Sequence, residues 1–151
     1  MKAKRLEHHP SGAEINVAWA KSDNELARRY GALAKKYTEM EKYNNALAEQ
    51  YTELAECYAA QAKYNTELIG KDPARADDYR DLAGQDTDWA NECAAHAERF
   101  IELAEEGPKL VSECTELAEQ YTESAKECEV NEEKLKNKDM EGNNEHSNPK
   151  R

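Results

Sequence analysis

The chain has 151 residues, 35% of them charged and 38% hydrophobic, with six glycines, four prolines and a formal net charge of −11. Those proportions exclude a turn-rich barrel or sandwich and favour long amphipathic helices in one compact unit. No apolar run approaches the roughly 18 residues that a membrane span needs, and no apolar segment follows the basic start Met1 to Leu6, so a non-secreted, cytoplasmic protein is expected.

In chain order, residues 1–12 read as a disordered leader in which His8 and His9 are solvated. Residues 13–136 read as the helical domain. Its first helix covers about 22–69, starting at the capping box Ser22-Asp23-Asn24-Glu25, with a second box at Ser11-Gly12-Ala13-Glu14 offering an earlier start. At Gly70-Lys71-Asp72-Pro73 the helix meets a stop glycine, an N-cap residue and a proline suited to the next first turn. A second helix is expected over 74–106, a tight corner at Gly107-Pro108, and a third helix over 109–135. Residues 137–151 turn to Lys, Asn, Glu and Gly and read as a disordered tail. The fold class is therefore all-α: an antiparallel long-helix bundle or coiled-coil hairpin of about three helices.

A seven-residue repeat, LAxxYxx, builds those helices. Counted in sevens from Leu26, eleven of sixteen positions are large and apolar; at the next position twelve of sixteen are alanine. Four residues after the leucine comes Tyr30, Tyr37, Tyr51, Tyr58 and later Cys93, Cys114, Tyr121 and Cys128. The blocks Leu47 to Glu53 and Leu117 to Glu123 are identical, which points to growth by duplication. Spacings of three and four put the Leu and Tyr columns together as a helix stripe, with the Ala column widening one edge.

Three helices of unequal length leave the start of the first uncovered. The stripe of Leu26, Tyr30, Leu33 and Tyr37 is then a docking surface for a protein partner or a second copy, and a homo-oligomer is the preferred reading.

The remaining candidates are local. Cys93 and His96 stand one helical turn apart and are weak candidates for a metal site, against the plainer reading of a semi-polar core position. Reflection about the two expected turns puts Cys57 and Cys128 at one level, where a disulfide competes with reduced thiols filling small gaps. Residues 72–128 hold sixteen acidic and five basic groups. Their surface carboxylates, Asp77, Asp78, Asp81, Asp88, Glu92, Glu98 and Glu102 among them, are either a solvated helix surface or an imitation of a nucleic-acid backbone offered to a nucleic-acid-binding enzyme. Direct nucleic-acid binding is disfavoured because the basic cluster Arg28, Arg29, Lys35, Lys36 is short. No nucleophile and base stand with an oxyanion donor, so no enzymatic activity and no cofactor are expected. The sequence reads as a non-enzymatic helical interaction or self-assembly module.

Overall fold

The computed structural model describes residues 12–146. Helix α1 spans Gly12–Lys71, a single 3₁₀ turn covers Pro73–Arg75, and helix α2 spans Ala76–His146. The stretch from 13 to 69 contains one glycine, no proline and abundant Ala, Leu, Glu and Lys, so nothing in it opposes the helix. Helix α1 is already formed at Gly12, ahead of the box at Ser22, and Ser11 of the earlier box lies outside the described residues.

Pro73 ends α1. Its ring disfavours the helical region for the residue before it, and Asp72 sits at φ −135° and ψ 79°. The Asp72 amide still donates to Leu68 O at 2.9 Å, and the Arg75 amide donates to Asp72 O at 3.2 Å. The Asp72 side chain makes no capping bond, and Gly70 keeps a right-handed backbone inside α1, so neither performs its expected role.

The corner expected at Gly107-Pro108 is absent, and with it the separate third helix: Pro108 lies inside α2. The residue before a proline is forced from the helical region partly by its own Cβ, and Gly107 has none. Pro108 itself faces solvent. The helix also continues through 137–146, part of the expected tail. Residues 1–11 of the expected leader and 147–151 lie outside the described residues.

Two packing units form rather than one. In the first, residues 35–111, α1 and α2 run antiparallel from the turn. Tyr58 stacks on Trp89 with ring centroids 6.2 Å apart, Tyr51 stacks on Phe100 at 5.6 Å, and Asn65 Nδ2 donates to Asp86 Oδ2 at 2.8 Å. Each pair lies at nearly equal chain distance on either side of the turn, as an antiparallel register demands. In the second unit, residues 12–34 pack with residues from 112 onward. There Tyr30 and Tyr121 stack at 5.7 Å and 2°, and Ser124 Oγ donates to Asp23 Oδ2 at 2.6 Å.

The buried side chains come from the Ala and Tyr columns. They are Ala48, Ala62, Asn65, Cys93, Ala97 and Ala104 in the first unit, and Ala20, Cys114 and Ala125 in the second. Among the described residues no member of the Leu column is buried, and Met40, Leu54, Leu82, Trp89 and Leu103 are exposed. The expected order of the stripe is thus shifted by one column: alanine and tyrosine form the contact and leucine lies on its flank. Small alanines let the backbones approach, so the close contact settles on their column rather than on the bulkier leucines.

Candidate functional site

In the unit of residues 35–111, each helix has two flanks beside its Ala and Tyr contact. The Leu column adjoins the Tyr column, three or four residues away along the chain. On the other flank, the column of Thr52, Thr66, Thr87, Ala94 and Ile101 adjoins the Ala column. Antiparallel helices are related by an approximate two-fold axis normal to their common plane, so each column lies on the same side of the pair in both helices. One shallow groove is indeed lined by Thr52, Ala59, Ala94 and Ile101 from both helices together with Ala55, Ala90 and Ala97. The Leu columns therefore share the opposite side.

Glu56, Asn91 and Glu98 border the same groove. Thr52, Thr66 and Thr87 each donate their hydroxyl to the carbonyl four residues earlier, on Ala48, Ala62 and Ala83, at 2.8, 2.9 and 2.8 Å. Each hydroxyl proton is committed inside its own helix.

The leucine flank differs. The unit has eight exposed large hydrophobic side chains: Met40, Tyr43, Leu54, Tyr64, Leu82, Trp89, Ile101 and Leu103, from 43% to 65% exposed. All but Ile101 lie on the Leu column or on the column of Tyr43 and Tyr64, which neighbours it at spacings of three and four. Isolated exposed apolar residues are ordinary; seven gathered on one side of one helix pair form a face. Trp89 and His96, both on the Leu column of α2, reach the seam only through their rings, against Tyr58 at 6.2 Å and Tyr51 at 5.2 Å.

The stripe of Leu26, Tyr30, Leu33 and Tyr37 is not left uncovered. Because α2 does not stop at 106, its continuation supplies Tyr121 to stack on Tyr30, and all four residues are half-buried. The sequence reading missed Tyr43 and Tyr64, which belong to none of the three repeat columns. Their spacing from Met40 and Leu68 was the available signal.

Cys93 and His96 diverge: Cys93 is buried in the contact, whereas His96 is exposed with its ring tilted over Tyr51. Among the described residues no group of three or more His, Cys, Asp or Glu is placed to hold a metal ion. Cys57 and Cys128 are free thiols in different packing units, and the reflection about 107 that put them level has no turn behind it.

Asp77, Asp78, Asp81, Asp88, Glu92, Glu98 and Glu102 are all exposed on the first unit. Asp77 accepts from Arg80 at 2.9 Å and Asp78 pairs with Arg75 at 3.6 Å. In the second unit Glu25 accepts from Arg28 Nη2 at 2.8 Å and from Arg29 Nε at 3.0 Å. Hydrogen bonds from Arg28 first and Arg29 second hold its carboxyl at about 2, against an ordinary 4.5, and the same contact raises Arg28.

No family model, curated protein or solved structure matches the chain. No helix among the described residues is long and apolar enough to cross a membrane.

Proposed function

We propose that the chain is a non-enzymatic helical protein–protein interaction or self-assembly module of the cytoplasm. Its helix pairs are antiparallel coiled coils, with the Ala column at heptad position a, the Tyr column at d and the Leu column at g. The docking surface is the g-side face of residues 35–111. One observation carries this reading: seven of the unit's eight exposed large hydrophobic side chains lie on that face. Apolar burial there supplies the binding energy, and the half-exposed rings of Trp89 and Tyr64 are anchors of the kind that dominate interfaces.

Cys57 lies on the same face and is exposed, so it can report the occupant. A maleimide-linked photo-cross-linker is attached there in the full chain carrying Cys128→Ser and illuminated in purified solution and in lysate. The expected result is an adduct of defined mass, to the chain itself or to another protein, that disappears in Leu54→Ser/Leu82→Ser at unchanged helicity. A chain that is monomeric and yields no such adduct overturns the proposal.

A further inference from the structure

The face just described has edges of opposite charge. Along its α1 edge lie Lys36, Tyr43, Tyr64 and Lys71, and that column holds no acid. Along its α2 edge the matching column holds Asp78, Glu92 and Glu106 against one base, Arg99. We infer that the occupant is a second copy of this chain, packed face to face with its 3₁₀ turn at the same end, so that α1 of each copy lies beside α2 of the other. The inference rests on the proposed reading of this face as a docking surface.

Two symmetric ways of joining the faces exist, and charge separates them. A two-fold axis along the helices carries the α1 edge onto the α2 edge of the second copy at the same height. Positions equidistant from the turn then meet across the interface: Lys71 meets Asp78, Cys57 meets Glu92, and the Tyr43 hydroxyl meets Glu106. A two-fold axis across the helices sets α1 beside α1 and α2 beside α2, which brings the acidic edge against itself; like charges so placed cost the complex energy and reject that arrangement. Asp78 already pairs with Arg75 across 3.6 Å within its own chain, so Lys71 joins an existing exposed pair.

The size also suits a second copy. At a rise of about 1.5 Å per residue the face from Met40 to Leu68 is roughly 40 Å long. Two helices about 10 Å apart make it roughly 20 Å wide. That is about the 800 Å² per partner of a standard stable interface.

The test is a disulfide that only this arrangement allows. Glu92→Cys places a thiol opposite Cys57 of the second copy. Within one chain the two positions lie on opposite outer edges of the helix pair, beyond the roughly 7 Å between Cα atoms that a disulfide tolerates. Sedimentation equilibrium of the full chain is expected to give twice the 17.2 kDa of one chain. Mild oxidation of Glu92→Cys is expected to give a covalent dimer whose peptide map joins Cys57 to position 92, a product the unsubstituted chain lacks. Leu54→Ser/Leu82→Ser, with helicity checked by circular dichroism, is expected to weaken the dimer roughly 100-fold or more.

A dimer in which position 92 fails to join Cys57 overturns the same-end arrangement. A monomeric chain whose Cys57 cross-linker captures another protein overturns the second copy while the docking reading stands. A monomer with no capture overturns both.

Discussion

Gly107 lies so close to Glu41 that a Cβ built on the glycine would sit 2.9 Å from the Glu41 Cβ and 3.2 Å from its Cγ. The position is buried on α2 and belongs to the same column as the tyrosines and cysteines of the seam. The Glu41 side chain occupies the space that a Cβ at position 107 would need. Gly107→Ala is a test with opposed terms. Alanine gains about 1 kcal/mol of helix propensity over glycine, while overpacking costs typically 1–3 kcal/mol. The atom it meets is a Cβ, fixed to the backbone, so the clash wins. Chemical denaturation should show a net loss of about 1 kcal/mol, and a variant as stable as the parent would mean the helices have room to part.

Pro108 provides the complementary experiment. A proline inside a helix removes one backbone hydrogen bond and costs about 3 kcal/mol relative to alanine. Because Pro108 is exposed and α2 continues past it, Pro108→Ala should raise stability by about 1–3 kcal/mol. In a domain of this size that is a rise in Tm of several degrees. A fall in Tm would place a turn at this point after all.

How the sequence read here follows from these two residues. The helices, their antiparallel pairing and the turn at 72–75 were legible because periodicity and Pro73 act locally. The Gly107-Pro108 pair was not. The same two letters that end a helix when the glycine turns left-handed also let a helix persist when the glycine stays right-handed and faces a neighbour. Which of these occurs depends on Glu41, distant in sequence. The uncovered stripe at Leu26 and Leu33 and the level placement of Cys57 and Cys128 both depend on a turn at 107, and a continuous α2 removes that turn. The seam was ambiguous for a related reason. Steps of four and three connect Leu26 to Tyr30 to Leu33, and steps of three and four connect Ala27 to Tyr30 to Ala34, so spacing alone fits either pair. Closeness of packing, absent from spacing, selects alanine.

The seam also carries a polar layer. Asn65 is 5% exposed, and its side-chain Nδ2 donates to the Asp86 carboxylate 2.8 Å away on the other helix. Asn65→Leu removes the donor and leaves a half-buried carboxylate facing an apolar group, at an expected cost of about 1–3 kcal/mol. Asn65→Leu/Asp86→Leu should recover that loss or exceed it, since an apolar pair needs no compensation for desolvation. The recovered stability should come with weaker control of register, the usual role of a lone polar layer between helices. Urea denaturation of the four proteins in a double-mutant cycle measures the coupling. A coupling near zero would show that the bond contributes nothing.

Glu25 gives the molecule a local response to acid. Its carboxyl is held at about 2 by hydrogen bonds from Arg28 and then Arg29, below its ordinary 4.5. A carboxylate whose folded-state value is depressed contributes stability that is fully present above its unfolded value and is lost as pH falls through the folded value. The window here runs from about 4.5 down to about 2. The group is exposed, so salt screens the effect and it is confined to this stretch of α1. In low salt, side-chain carboxyl chemical shifts should titrate Glu25 near pH 2, and Arg28→Ala/Arg29→Ala should move that midpoint upward toward 4.5. Arg28→Ala should move it further than Arg29→Ala, because the Arg28 guanidinium donates twice, from Nε at 3.0 Å and from Nη2 at 2.8 Å, and Arg29 once. Equal shifts in the two single variants would mean that the arginines act on Glu25 through charge alone, without the two-pronged hydrogen bond.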